Sequence, residues 1–72
     1  MIEVDARGLS CPIPVVRTKK AINENPTAMI TVLVDDTTAK ENVSRLAKSE
    51  GYSVEIEEVD DGFRLQLSPS SE

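Results

Sequence analysis

Hydrophobic and polar positions alternate in three stretches of this chain, and a fourth stretch is almost wholly apolar. Residues 2–5, 52–57 and 63–67 place every second side chain in an apolar position, which is typical of strands with one buried face. Residues 29–34 form an apolar run rich in β-branched side chains and predict a buried strand. The sequence Asp-Asp-Gly at residues 60–62 separates the last two strands and predicts a hairpin turn.

Two other segments carry their apolar residues at helical spacing. The first covers residues 12–24, where Val15, Thr18 and Ile22 fall on one face. The dipeptide Asn-Pro at residues 25–26 ends this helix, because a residue that precedes proline is pushed out of the helical conformation.

The second predicted helix begins at Thr38, after a turn at residues 35–37. Thr38 as N-cap and Glu41 three residues later have the spacing of a capping box. Gly51 ends this helix, since glycine readily adopts the left-handed conformation found after helices. The apolar positions of one helix face are Ala39, Val43, Leu46 and Ala47.

The predicted element order is therefore β-α-β-α-β-β. A right-handed crossover makes the first two strands parallel, and the alternating polar positions of the last two strands leave one sheet face open to water. This predicts an α+β fold, a two-layer α/β sandwich with both helices on one face of a mixed four-stranded sheet. We expect one domain over residues 1–67, with residues 68–72 as a polar tail or the truncated start of a linker.

Composition excludes several kinds of site. The chain has one cysteine and no histidine, so an internal disulfide, a four-ligand zinc site and an imidazole-activated nucleophile are ruled out, and we predict neither metal nor cofactor. The net charge of −5 disfavours binding to nucleic acid. No segment has the roughly 18 apolar residues of a membrane span, and the first twenty residues lack the apolar run of a secretory signal, so a cytoplasmic protein is expected.

The single cysteine, Cys11, precedes Pro-Ile-Pro at the start of the first predicted helix. Pro12 fits the first helical position, where an N–H would be unpaired, and Pro14 still lies within the first turn. Cys11 then becomes the N-cap, where the helix dipole and free amides favour a thiolate. Gly8 gives the preceding loop its freedom. The alternative interpretation is that Cys11 is simply a small buried apolar residue.

Residues 5–14 and 18–21 together resemble the TusA/SirA/YedF family of sulfur carriers, whose signature is an Arg-Gly-Leu-x-Cys-Pro-x-Pro stretch. Asp35-Asp36 before the second helix fits the family as well. The stretches at residues 39–43 and 51–52 look most like the YedF branch, whose members often carry a second, C-terminal domain. The resemblance implies that Cys11 accepts sulfur as a persulfide from a cysteine desulfurase or another donor and passes it to an acceptor protein. Uses in the family include tRNA thiolation and molybdenum cofactor maturation, and the YedF branch is linked to selenium metabolism.

The resulting hypothesis is a small monomeric sulfur carrier of sulfurtransferase type. Cys11 is the candidate nucleophile, positioned by Gly8, Pro12 and Pro14. The candidate partner-binding residues are Arg7, Arg17, Lys19, Lys20, Asp35 and Asp36.

Several of these residues also have a purely structural interpretation. The basic residues of the first helix can be a solvated surface, and Asp35-Asp36 can be a turn. A non-catalytic regulatory or protein-interaction module therefore stays open as the alternative, and with it the question of whether the chain is an enzyme. Binding of RNA through the sheet is disfavoured by the charge and by the single Phe and single Tyr.

Overall fold

A computed structural model describes residues 2–9, 13–26 and 28–69 of the chain. Its elements follow the predicted order β-α-β-α-β-β. They are β1 (Ile2–Asp5), α1 (Ile13–Glu24), β2 (Ile30–Val34), α2 (Thr37–Ser49), β3 (Tyr52–Val59) and β4 (Gly62–Pro69).

The four strands form one mixed sheet in the order β1-β2-β4-β3. β1 pairs with β2 in parallel, whereas β4 lies antiparallel to both β2 and β3. This confirms the predicted α+β fold with a mixed four-stranded sheet. β4 also continues through Ser68 and Pro69, opposite Ser53 and Tyr52 of β3, although the polar tail was expected to begin at residue 68.

The alternation of side chains separates a buried face of the sheet from an open one. On the buried face, Ile30 and Val32 of β2 lie beside Leu67 and Leu65 of β4, and all four are fully buried. Each helix adds its own buried residues to this core: Thr18, Ala21 and Ile22 from α1, and Ala39, Val43 and Ala47 from α2. The two helices therefore cover the same face of the sheet, as expected.

The open face carries the polar positions of the strands. Thr31 of β2 faces Gln66 of β4, and the Thr31 hydroxyl donates a hydrogen bond to Gln66 Oε1 at 3.0 Å. Arg64 of β4 is paired with Glu57 of β3. Cross-strand polar pairs of this kind suit a sheet surface that faces water.

The capping box predicted for the second helix is wrong. Helix α2 begins at Thr37, and its N-cap is Asp36, which has extended backbone dihedrals and accepts a hydrogen bond from the N–H of Ala39 at 2.6 Å. Aspartate is a better N-cap than threonine, and its charge also suits the positive end of the helix dipole. The predicted end of α2 is confirmed, because Gly51 follows the C-cap with φ +87°.

Among the described residues, neither helix is long and apolar enough to cross a membrane. The predicted N-cap position of Cys11 and the first-turn position of Pro12 lie outside the described residues.

Candidate functional site

The segment that leads toward Cys11 starts at the carboxyl end of β1. After Asp5, the buried residue Ala6 still donates its N–H to the carbonyl of Leu33 in β2 at 2.8 Å. The chain then leaves the sheet through Arg7, Gly8 and the half-buried Leu9, which packs against the core. We refer to residues 6–9 as the stem. Its last residue and Ile13, the first residue of α1, are the described neighbours of Cys11 in the chain.

Gly8 is held by a carboxylate from a distant part of the chain. Its backbone N–H donates to Asp35 Oδ2 at 2.7 Å, across 27 positions of sequence. Gly8 has φ +77°, a left-handed conformation that favours glycine. The structure thus brings together two of the candidate site residues, Gly8 and Asp35, which are hydrogen-bonded to each other.

Arg7 is clamped between two carboxylates. Its Nε and Nη2 atoms donate to the two oxygens of Asp5 at 2.9 Å each, and its Nη1 atom donates to Asp61 Oδ2 at 3.2 Å. Hydrogen bonds from Arg7 lower the pKa of Asp5 to about 2, and the Asp5 carboxylate in turn raises the already high pKa of Arg7. The guanidinium charge is thus compensated within the protein, a role for Asp5 and Asp61 that sequence reasoning missed.

The turn between β3 and β4 packs tightly on the end of β2. A Cβ atom on Gly62 would lie 2.1 Å from the carbonyl oxygen of Val34 and 2.8 Å from Cα of Asp35, so no larger residue fits without movement. The sequence predicted a hairpin turn from Asp-Gly at residues 61–62. The same glycine also allows the turn to approach the end of β2 closely, which the sequence analysis did not predict. The turn, the end of β2 and the stem therefore form one packed unit.

The first turn of α1 combines a buried proline with exposed apolar side chains. Pro14 is fully buried, and its carbonyl accepts a hydrogen bond from the Thr18 hydroxyl at 2.8 Å. Ile13 and Val16 are 44% and 60% exposed, although both are large apolar residues. Apolar side chains left in water beside a candidate site are typical of a surface that partners contact.

The predicted basic residues of α1 separate into two groups. Arg17 and Lys20 line a groove between α1 and β1, which also contains the exposed side chains of Ile13 and Val16. Three acidic residues line the same groove, so its charge is mixed: Glu3, Asp5 and Glu24. Lys19 does not line this groove. The structure thus joins two of the three predicted cations to an apolar surface.

The remaining predicted residues have different surroundings. Asp36 caps α2, whereas Asp35 reaches the stem, so the two adjacent carboxylates serve different elements. Cys11 and Pro12 lie outside the described residues. Within the described ranges, no three metal-ligating side chains of the His, Cys, Asp or Glu type come together as a potential metal site.

Comparison with known proteins identifies the family. The model of the family described as "Sulfurtransferase TusA" matches residues 2–68, which include the complete sheet pairing of β2 with β4 and both helices. The chain belongs to the TusA family. This confirms the resemblance found in the sequence.

Relatives within the TusA family carry names that concern sulfur. "Putative sulfur carrier protein YrkI" of Bacillus subtilis is 43% identical over 65 residues, covering 89% of this chain and 85% of the relative. "Putative sulfur carrier protein MJ0990" of Methanocaldococcus jannaschii is 40% identical over 69 residues, covering 93% and 92%. A crystal structure of a SirA-like protein from Desulfitobacterium hafniense has a TM-score of 0.89 at 38% identity and covers 99% of this chain and all of that one. These similarities support a sulfur-carrier role for a chain of this family.

Proposed function

We propose that this protein is a sulfur carrier that holds a persulfide on Cys11 and relays the sulfur from a donor enzyme to an acceptor protein. The match to the TusA family over residues 2–68 carries the proposal, because that range contains Cys11 together with both of its flanking prolines. The described residues on either side of that segment agree with it, since the stem is hydrogen-bonded to Asp35 and Pro14 in the first turn of α1 is fully buried.

The relay needs no net oxidant or reductant. The Cys11 thiolate attacks the outer sulfur of a persulfide on the donor, a cysteine desulfurase or another sulfur donor. The S–S bond of the donor breaks, the donor cysteine leaves as a thiolate, and Cys11 keeps the transferred sulfur as its own persulfide. A thiolate of the acceptor protein then attacks that outer sulfur and releases Cys11 as a thiolate.

Both steps require an accessible sulfur and a surface on which a partner can dock. The groove between α1 and β1 supplies such a surface, with exposed apolar side chains beside the cations Arg17 and Lys20 and beside acidic residues on the β1 side and at the end of α1. Apolar contacts at the centre of a docking surface supply affinity, and charges at its rim steer the encounter. We propose that donor and acceptor use this groove in turn.

Intact-mass measurement tests the carrier function directly. The protein is incubated with a cysteine desulfurase and cysteine, and we expect a gain of about 32 Da, the mass of one sulfur atom bound as a persulfide. The adduct should disappear on reduction and should not form in Cys11→Ser. Supplying a selenium donor instead asks whether the heavier atom is accepted as well.

A protein that gains no sulfur under these conditions would contradict the carrier proposal. Binding of the desulfurase without any adduct would favour the alternative, a regulatory or protein-interaction module that uses the same surface. Equal adducts in the parent and in Cys11→Ser would place the sulfur elsewhere and would also refute the proposal.

A further inference from the structure

We propose that Asp35 is a positioning residue for the Cys11 thiol and acts through the backbone N–H of Gly8. The inference deepens the proposed function and rests on it, because it concerns the same thiol. It reassigns Asp35 from contact with partner proteins to control of the stem. The side chain of Asp35 acts as a hydrogen-bond acceptor, and its negative charge has little effect on the reactivity of the thiol.

Asp35 is a well-anchored support. It directly follows Val34, a fully buried residue of the central strand β2, and the β3–β4 turn packs against its Cα through Gly62. Its neighbour Asp36 caps α2 and so fixes the chain on the other side. An acceptor attached at this position has little freedom to move away from Gly8.

The hydrogen bond from Gly8 completes a series of attachments along the stem. Ala6 is bonded to β2, Arg7 is bonded to Asp5 and Asp61, and Leu9 packs on the core. Gly8 is the residue of this series with a left-handed backbone, so the direction of the chain toward Cys11 depends on its dihedral angles. Two hydrogen bonds hold that conformation: the N–H of Leu9 donates to the carbonyl of Ala6 at 3.4 Å and closes the turn, and the N–H of Gly8 donates to Asp35 at 2.7 Å. The bond to Asp35 is the shorter of the two, and it is the one made by a side chain.

Charge and hydrogen bonding predict opposite effects when Asp35 is changed. A carboxylate near a thiol disfavours the thiolate and raises the thiol pKa, so removal of the charge alone should make Cys11 more reactive. Loss of the acceptor should instead release the stem and disturb the N-cap position predicted for Cys11, which makes the thiol less reactive. The sign of the change therefore identifies the role.

The experiment compares Asp35→Ala with Asp35→Asn, which keeps an oxygen acceptor and removes the charge. The rate of alkylation of Cys11 by iodoacetamide is measured against pH for both variants and the parent. For Asp35→Ala we expect an inflection shifted upward by about 0.5 to 1 pH unit toward the ~8.5 of a free cysteine, and a rate at neutral pH about three- to ten-fold lower. Asp35→Asn should retain the parent profile.

Asp60→Ala is the matched control, because Asp60 is an exposed carboxylate on the β3–β4 turn and its removal changes the net charge equally. We expect the parent profile from this variant. Faster alkylation of both Asp35 variants would show that only charge matters, and unchanged rates in both would show that the stem does not control the thiol. Equal losses in both would refute the acceptor role, since asparagine can still accept.

Alkylation involves no sulfur transfer, so the two proposals fail separately. A parent protein that gains no persulfide, yet shows the expected contrast between the Asp35 variants, would overturn the carrier function and leave the positioning role intact. A parent that carries sulfur while the Asp35 variants behave alike would overturn only the positioning role. Thermal melts of all three variants show whether any rate change merely follows unfolding.

Discussion

Substitution of Gly8 by alanine should disturb the thiol without disrupting the fold, and the chain offers a matched control at Gly51. Both glycines have positive φ, +77° and +87°, and an added Cβ would meet no atom within 4 Å at either position. The cost of each substitution is therefore the backbone conformation alone. Gly8 leads toward Cys11, whereas Gly51 ends helix α2 far along the chain.

The expected loss of stability is small and similar at the two sites. A left-handed conformation costs an L-residue about 1–2 kcal/mol, and the reduced freedom of the unfolded chain returns about 0.4–1 kcal/mol. The difference leaves a loss of about 1 kcal/mol, which lowers the melting temperature of a domain of this size by about 4–8 °C. Gly62→Ala should be far more damaging, because its Cβ would overlap the Val34 carbonyl.

Thermal melts followed by circular dichroism measure the stability of the variants, and iodoacetamide alkylation measures Cys11. We expect Gly8→Ala and Gly51→Ala to melt within a few degrees of each other, with slower alkylation in Gly8→Ala alone. If Gly8→Ala alkylates at the parent rate, the left-handed conformation does not control the thiol. If both variants slow equally, the effect is a general consequence of lost stability, and the reasoning from the stem is wrong.

Three further predictions concern charge, packing and acid. Reversal of either Arg17 or Lys20 to glutamate should slow persulfide transfer, most strongly at low salt. Lys19→Glu makes the same change in net charge and should have a smaller effect, because Lys19 lies outside the groove; equal effects would argue against the groove. Pro14→Ala removes buried ring atoms and should cost about 1–2 kcal/mol in denaturant unfolding, while a loss near zero would show that the ring packs loosely. Hydrogen bonds from Arg7 lower the pKa of Asp5 from 3.8 to about 2, so this pairing stabilises the fold fully above pH 3.8 and the contribution is lost as the pH falls through 2. In Asp5→Asn, the free energy of unfolding should therefore depend less on pH between about 4 and 2.

Local patterns were sufficient to predict the elements and their order. The alternation of apolar and polar residues predicted the strands. Gly51 predicted the end of α2, because the positive φ that follows a helix favours glycine and can be inferred from that one residue. The start of α2 was predicted two residues too late, at Thr38, although the actual cap, Asp36, is also of a residue type that caps helices. Only the observed hydrogen bond from Ala39 to Asp36 decides between them.

The contacts of the stem had no comparable local signal. Arg7 meets Asp61 across 54 positions, and that contact depends on β4 lying between β2 and β3. The local pattern of apolar and polar residues determines neither the order of the strands in the sheet nor the register that brings the β3–β4 turn to the end of β2. The sequence therefore placed Arg7, Gly8 and Asp35 among the candidate site residues but could not show that all three make hydrogen bonds within the protein.

This arrangement bears on how an acidic protein can keep an ionised sulfur. Three carboxylates among the described residues accept hydrogen bonds from the stem: Asp5 and Asp61 from Arg7, and Asp35 from the N–H of Gly8. The stem itself carries one positive charge, the guanidinium of Arg7. Side-chain charge around the stem is therefore net negative and supplies no stabilisation for a thiolate or a persulfide anion, and the parent-like profile expected of Asp35→Asn means that its opposing effect is small. Under the proposed function, we therefore assign stabilisation of the anion to backbone amides at the start of α1, because salt screens their dipoles only weakly at close range. The proposed role of the groove cations Arg17 and Lys20 is the encounter with partners. On this proposal, the salt dependence of transfer and the salt dependence of thiol reactivity should be separable.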